Sequence, residues 1–237
     1  MGNHRWKSFR SVYRETDLWI AVDTESYSET TVNYTSDRIR YYRNILDKYI
    51  RNHPEFRDSL VPVETGKNTH RIIREMSGAA RKAGTGPMSA VAGAIAEFIC
   101  KDLCKESGAS EVIIENGGDI FLKLKNQATI SVYAGNSPLS GKIRLVIKPE
   151  DTPLSVCTSS GTTGHSLSFG NADACTIACR SGALADAYAT AFCNEVKDKT
   201  LAGPVTEKAI GTAGILAVVI IKDDKVSMGG SIEIRIL

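Results

Sequence analysis

Apolar residues at helical spacing dominate the first half of the chain. Ser36 is a suitable N-cap, and Pro54 forbids continuation of the helix that would follow. The apolar positions between them are Ile39, Tyr42, Leu46, Tyr49 and Ile50. A second helix is predicted from about Asn68 to Gly84, and a third from Met88 to Glu106. The third helix begins with small apolar residues, which allow close approach to a sheet or a ligand.

Alternating and wholly apolar runs predict strands in the rest of the chain. Asp17–Asp23 is predicted to be a strand paired with the segment near Thr31–Tyr34. From Glu111 onward, turn residues separate the runs EVIIEN, IFLKL, TISVYAG and KIRLVIK, which predict an antiparallel meander. A strand (ACTIAC), a fourth helix at Leu184 to about Lys197 and a final set of strands follow. Helices and strands in separate blocks predict an α+β fold in one domain, residues 1–237, with mostly antiparallel sheets packed against helices.

Composition and charge restrict the class of protein. The chain has 237 residues, of which 42% are hydrophobic and 24% charged, and this balance excludes a disordered, collagen-like or fibrous protein. The formal net charge of +2 is too small for a surface that holds nucleic acid through bulk charge. Basic residues do lie along the first predicted helix, but Asp37 and Asp47 interrupt them. We therefore expect a solvated helix face and no nucleic-acid partner.

The sequence predicts a cytoplasmic protein with no membrane contact. No window contains the roughly 18 consecutive apolar residues that a spanning helix needs, and the basic amino terminus lacks the apolar run of a signal peptide. The six cysteines lack the spacing of a zinc ribbon or a disulfide framework. They are expected to be buried, reduced thiols, with a metal or redox role as the alternative. The final strand, IEIRIL, is expected to form an exposed edge or the seam of a homodimer.

Three segments contain residue types that a purely structural role does not explain well. The first is Asn116-Gly117-Gly118-Asp119, directly after a predicted buried strand. Two adjacent glycines allow positive φ, and successive backbone N–H groups can bind an anion. The alternative is an ordinary hairpin turn, for which Asn-Gly is a common dipeptide.

The second segment is a loop rich in hydroxyl groups, residues 157–166. Such hydroxyls can donate hydrogen bonds to phosphates or sugars, and His165 is available for proton transfer or phosphate contact. The loop is not a P-loop, because no Walker lysine follows its glycines, and the sequence has no GxSxG elbow. The alternative is a polar surface loop. The candidate binding residues are Thr158, Ser159, Ser160, Gly161 and Thr162.

The third segment, Ala185–Thr190, places a carboxylate and a hydroxyl on one helical face. Asp186 and Thr190 are four residues apart, and the alanines around them leave room beside that face. Oxygen ligands of this kind suit a hard cation such as Mg²⁺. The alternative is stabilisation of the helix by an acidic residue in its first turn.

Taken in order, the three segments resemble the ApbE family, the FAD:protein FMN transferases once called thiamine-biosynthesis lipoproteins. The runs GPMSAVAGAIAE, IENGGDI, CTSSGTTGHSLSFG and LADAYAT are more similar still to a branch of ApbE-like proteins from archaea and bacteria that carries UPF names. The similarity extends from about Tyr13 to Ile234. It implies an ApbE-like fold.

The resemblance also implies a site for a nucleotide and a metal ion. In the transferases, Mg²⁺ lies against the FAD pyrophosphate, and FMN is moved to a threonine or serine of an acceptor protein. By resemblance, Asp186 and Thr190 are the metal ligands, and His165 lies at the reacting phosphate. Residues 116–119 and 158–165 would line FAD or a related nucleotide.

The sequence departs from the transferases in two places. Ala92 stands before Gly93 where the transferases have a lysine, and the segment after His165 is shorter and lacks proline. Two functions therefore remain open. One is an enzyme that transfers or hydrolyses across a pyrophosphate, and the other is a non-catalytic protein that binds a small ligand in the same pocket.

Overall fold

A computed structural model describes residues 5–162 and 170–237. The strands are β1 (Trp6–Tyr13), β2 (Thr16–Asp23), β3 (Val112–Asn116), β4 (Asp119–Lys123), β5 (Ala128–Ser131), β6 (Ile143–Ile147), β7 (Leu154–Ser159), β8 (Ala174–Cys179), β9 (Ile215–Lys222), β10 (Lys225–Gly230) and β11 (Glu233–Ile236). The helices are α1 (Glu29–Asn52), α2 (Glu55–Asp58), α3 (Arg71–Ala83), α4 (Val91–Glu106), α5 (Gly182–Glu195) and α6 (Ala202–Ile210).

The strands form two sheets. The long sheet has eight strands in the order β1-β2-β3-β4-β7-β8-β9-β10, and each neighbouring pair is antiparallel. The second sheet consists of β11, β6 and β5, which are also antiparallel. The predicted α+β class with mostly antiparallel sheets is confirmed.

The helices and the two sheets form three layers. One face of the long sheet packs against α4 and α5, which in turn contact α1 and α3. The opposite face packs against the second sheet, where Leu122, Val156 and Val219 meet Ile143 and Leu145. Because both faces of the central strands are covered, β8 and β9 are buried at consecutive positions instead of at alternate ones.

The predicted partner of β2 is wrong, although the strand is present. β2 pairs with β1 on one side and with β3 on the other. The segment Thr31–Tyr34 lies inside α1, because the helix begins earlier than predicted: the Ser28 Oγ accepts a hydrogen bond from the Thr31 backbone N–H at 3.1 Å. Ser36 is not the N-cap but an internal residue, whose hydroxyl donates to the Val32 carbonyl at 3.1 Å.

The remaining elements agree with the sequence in part. α1 ends at Asn52, before Pro54, and α3 ends where Gly84 adopts a φ of 72°. The predicted meander divides between the two sheets, because β3 and β4 form a hairpin in the long sheet while β5 and β6 join the second. The sequence patterns do not predict β1 and α6. β1 is a largely exposed edge strand, and α6 contains Gly203 and Pro204, which obscure its helical pattern.

Neither a disulfide nor a membrane-length helix is present in residues 5–162 and 170–237. All six cysteines are free thiols, five of them buried and Cys104 half-buried, as predicted. No single helix there is long and apolar enough to cross a bilayer. The segments Arg71–Ala83 and Pro87–Glu106 reach that length and composition only together, across a bend of 107°.

A buried carboxylate ties the amino-terminal edge of the long sheet to the loop after β4. Glu111 accepts hydrogen bonds from Arg5 Nε at 2.7 Å and Trp6 Nε1 at 3.0 Å. It also accepts from the backbone N–H groups of Lys125 and Asn126 at 2.7 and 3.0 Å. Burial alone raises the pKa of Glu111, but the Arg5 guanidinium and the two N–H groups outweigh it and lower the pKa to about 2.

We expect Glu111→Gln to lower the free energy of unfolding at neutral pH by about 1–3 kcal/mol, because the amide cannot replace the charge-assisted bonds. The folded-state pKa lies below the ordinary value of 4.5. The contribution of the carboxylate is therefore complete above that value and is lost as the pH falls toward about 2. Denaturant unfolding of both proteins across this range measures the effect, and the difference between them should shrink on acidification.

Exposed Glu150 provides the matched control, and Glu150→Gln should change the free energy of unfolding by less than about 0.5 kcal/mol. A difference between Glu111→Gln and wild type that stays constant from neutral to strongly acidic pH would contradict the lowered pKa.

Candidate functional site

The candidate site is built where α4 crosses α5. The two helices meet backbone to backbone at Gly93 and Gly182. A Cβ atom on Gly93 would lie 2.2 Å from the Gly182 carbonyl oxygen, and one on Gly182 would lie 2.2 Å from the Gly93 carbonyl oxygen. Only glycine permits such an approach. The small residues at the start of the third predicted helix therefore serve a helix–helix contact.

Two carboxylates connect the crossing helices reciprocally. Asp186 of α5 accepts a hydrogen bond from the Gly93 backbone N–H of α4 at 2.9 Å. Glu97 of α4 accepts one from the Gly182 backbone N–H of α5 at 2.6 Å and forms an ion pair with Lys101. Both N–H groups belong to the first turn of their helices, where no partner within the helix exists and negative charge is favoured. Asp186 is thus fixed by the neighbouring helix.

The β3–β4 turn brings the first predicted segment to the same region. Gly117 and Gly118 have φ values of 63° and 104°, as expected for the two central residues of a type I′ hairpin turn. The hairpin alternative therefore describes the backbone. The Asn116 side chain also joins the turn to the start of α4, because its Nδ2 donates a hydrogen bond to the Ala92 carbonyl at 3.1 Å.

Asp119, Asp186 and Thr190 line one cavity of about 380 Å³, which we call the carboxylate cavity. Burial raises the pKa of both carboxyl groups, and the charge of Asp119 raises that of Asp186 further. The Thr158 backbone N–H, 3.2 Å from Asp119, and the Gly93 backbone N–H oppose these shifts. A cation in this cavity would favour the ionised form of both groups.

Part of the hydroxyl-rich segment reaches this region through β7. The Ser159 hydroxyl lies 3.3 Å from the Thr190 hydroxyl, so it orients one of the predicted metal ligands. Thr158 contributes its backbone N–H to Asp119, while its hydroxyl is bonded to Thr176 at 2.8 Å.

Three further residues of that segment, Ser160, Gly161 and Thr162, do not line the carboxylate cavity. They continue beyond β7, and the Thr162 hydroxyl donates to Asp173 at 3.0 Å. His165 lies outside the described residues, so its role at the reacting phosphate stays a prediction.

The donor set of the carboxylate cavity fits a hard divalent cation. Asp119, Asp186 and Thr190 offer oxygen atoms only, and Mg²⁺ in proteins takes one or two carboxylates and completes its shell with water and phosphate oxygens. In the described ranges, no group of three or more His, Cys, Asp or Glu side chains could hold a metal ion. A cation at this position would complete its coordination shell with water or phosphate oxygens.

A second cavity, of about 560 Å³, adjoins the first. We call it the arginine cavity, after the four arginines in its lining, Arg14, Arg43, Arg51 and Arg57. The lining residues that it shares with the carboxylate cavity are Arg57, Met88, Val91 and Ala92. Two arginines of α1, Arg43 and Arg51, thus line a cavity, whereas the sequence predicts a solvated face for the basic residues of this helix. The available signal was the spacing of Arg43, Asp47 and Arg51, which are four residues apart and share one helix face.

Sequence reasoning also missed the residues that build the crossing. Glu97 stands alone in the apolar run GAIAEFIC, and a lone charge in such a run signals a buried partner. Gly182 carried no such signal, because a glycine at the start of a helix is common.

The fold is that of the ApbE flavin transferases. The ApbE protein from Thermotoga maritima aligns with a TM-score of 0.62 over 96% of each chain, at 14% identity. A variant of the flavin transferase ApbE from Vibrio cholerae aligns with a TM-score of 0.61 over 96% of this chain and 98% of that one, at 13% identity. At such identities the similarity concerns the fold alone.

Sequence comparison establishes the family. The profile described as AbpE bacteria matches residues 2–209. A UPF0280 protein of Methanocaldococcus jannaschii is 38% identical over 232 residues, which cover 96% of this chain and 92% of the relative. Another, from Methanospirillum hungatei, is 45% identical over 181 residues, 76% of this chain and 72% of the relative. The chain belongs to the AbpE bacteria family, which confirms the resemblance to ApbE-like proteins and their UPF branch.

Gly93→Ala is expected to destabilise the protein by more than about 2 kcal/mol, because the new methyl group would collide with the Gly182 backbone and with Asp186. Thermal or denaturant unfolding measures the loss.

Gly78→Ala in α3 is the matched control. A Cβ atom there meets nothing within 4 Å, so this change should leave stability unchanged or raise it by up to about 1 kcal/mol. If the two alanine variants were equally stable, the close helix crossing would be refuted.

Proposed function

We propose that this chain binds a flavin nucleotide together with Mg²⁺ in the carboxylate cavity. The observation that carries the proposal is that Asp119, Asp186 and Thr190 line one cavity in a fold shared with ApbE flavin transferases. Two buried carboxyl groups with raised pKa values favour a cation as partner. A diphosphate supplies the further oxygen ligands that Mg²⁺ requires.

The polar residues of the carboxylate cavity would have different roles in binding. Asp186 and Thr190 would hold the metal ion, whose role when bound is to offset the negative charge of the diphosphate. The hydrogen bond from Gly93 fixes Asp186, and the contact with Ser159 orients the Thr190 hydroxyl. Asp119 adds a second carboxylate from β4.

The same cavity has an apolar wall for a ring system. Leu60, Met88 and Val91 line it, and Leu60 is 61% exposed despite its apolar side chain. Ligand sites commonly combine such a wall with a few polar groups that fix the orientation of the ligand. A flavin or adenine ring on this wall and a diphosphate at the carboxylates would use both parts of the cavity.

Binding without turnover is the second candidate function. Ala92 lines the cavity at the position where the transferases have a lysine, so its side chain offers no charge to a departing phosphate. In the enzymatic alternative, a hydroxyl oxygen of an acceptor or of water bonds to the FMN phosphorus as the phosphorus–oxygen bond to AMP breaks. AMP then leaves with the electron pair, and the hydroxyl proton passes to solvent. Release of AMP from FAD distinguishes the two functions.

Asp186→Asn is expected to weaken FAD binding in the presence of Mg²⁺ by about tenfold or more, equivalent to about 1.4 kcal/mol. The amide oxygen can still accept the Gly93 hydrogen bond, but the charge that attracts the metal ion is gone. Titration of the purified protein with FAD, followed by flavin fluorescence with and without MgCl₂, measures both affinity and metal dependence.

Glu195→Gln is the matched control, because Glu195 ends the same helix and pairs with Lys208 outside the carboxylate cavity. It should bind FAD as the wild type does. FAD affinity that is independent of Mg²⁺, or that Asp186→Asn leaves unchanged, would overturn the proposal.

A further inference from the structure

The arginine cavity is a feature that the proposed function does not use. Three elements supply its arginines: Arg14 from the β1–β2 turn, Arg43 and Arg51 from α1, and Arg57 from α2. The acidic residues in its lining are Glu15 and Asp47. The cavity therefore carries two more arginines than acids, and concave surfaces with one sign of charge concentrate ligands of the opposite sign.

The two acids are already engaged by two of the arginines. Arg14 pairs with Asp47, while Arg43 pairs with Glu15 and lies 3.7 Å from Asp47. The Arg43 side chain is only 12% exposed, and its Nε has no hydrogen-bond partner among residues 5–162 and 170–237. A buried donor without an acceptor is costly, so the guanidinium of Arg43 retains donor capacity that its two acids do not satisfy.

Arg51 and Arg57 carry the surplus charge. Arg51 is exposed and makes no ion pair within the described part of the chain. Among the described residues, Arg57 forms an ion pair only with its neighbour Asp58, at 2.7 Å, and both side chains are more than half exposed. Ion pairs between exposed side chains contribute little, so this pair can open at small cost when a ligand arrives.

The two cavities are neighbours that share part of their lining. Both linings include Arg57, Met88, Val91 and Ala92. A ligand in the carboxylate cavity would therefore lie beside Arg57, which also lines the arginine cavity.

We propose that the arginine cavity is an anion subsite that binds a phosphate or carboxylate group through Arg43, Arg51 and Arg57. Guanidinium groups bind both anions with paired, charge-assisted hydrogen bonds. The subsite is defined by the residues of the arginine cavity alone and does not depend on the proposed function. The extension to one ligand that fills both cavities rests on the proposed function, and it assigns to that ligand an anionic group beyond the diphosphate.

The test uses the full chain and two probes, inorganic phosphate and citrate, in separate calorimetric titrations without Mg²⁺. We expect saturable binding of at least one anion, and the stronger of the two identifies the group as phosphate or carboxylate. The double variant Arg51→Gln/Arg57→Gln should weaken that binding about tenfold or more. Arg40→Gln is the matched control, because Arg40 lies on the same helix, pairs with Asp37 and does not line the cavity.

Chemical modification localises the anion. Phenylglyoxal labels accessible arginines, and peptide mass spectrometry then reports each position. Bound anion should protect Arg51 and Arg57 while Arg40 stays reactive. Absence of binding by both anions, equal binding by the double variant, or equal protection of Arg40 would overturn the subsite.

Asp186→Asn separates this proposal from the proposed function. It should bind phosphate or citrate as the wild type does, because Asp186 does not line the arginine cavity. Loss of the anion in Arg51→Gln/Arg57→Gln but unaltered FAD binding in Asp186→Asn would refute only the proposed function. The opposite pattern would refute only the anion subsite.

Discussion

The site depends on the glycine crossing of α4 and α5 and on the two carboxylates that seal it. Each helix supplies an acid to the first turn of the other: Asp186 receives the Gly93 N–H, and Glu97 receives the Gly182 N–H. The absence of two Cβ atoms lets the backbones touch, and the contact places Asp186 beside the β3–β4 turn. One oxygen of the Asp186 carboxylate accepts the Gly93 N–H in the first turn of α4, and the same side chain lines the carboxylate cavity. Asp186 therefore both joins the two helices and contributes to the cavity.

The sequence predicted those parts of the fold that local physics determines. The cap at Gly84 and the stop before Pro54 follow from backbone restrictions of single residues, and both are present. The strand partner of β2 and the division of the meander between two sheets could not be predicted, because pairing depends on distant segments and not on the strand's own pattern. The three candidate segments were singled out from residue type alone. That Asp119 and Asp186 share a cavity follows from the order β3-β4-β7 and the position of α5, which no local signal contains.

The net charge of the whole chain does not reveal its charged cavities, because two neighbouring cavities have surplus charge of opposite sign. The net charge of +2 is nearly balanced, yet the carboxylate cavity has two carboxylates and one arginine in its lining, whereas the arginine cavity has four arginines and two carboxylates. Arg57 and Ala92 belong to the lining of both cavities. A ligand that carries a metal-bound diphosphate and a further anion would match this arrangement. An uncharged ligand would leave the surplus charge of each cavity without compensation.

The most direct measurement is a crystal structure of the protein grown with FAD and Mn²⁺, with the metal located by its anomalous scattering. We predict one Mn²⁺ bonded to the Asp186 carboxylate and the Thr190 hydroxyl, with diphosphate oxygens completing its shell. FAD bound elsewhere on the protein, or bound in the carboxylate cavity with no metal ion at Asp186, would contradict this prediction.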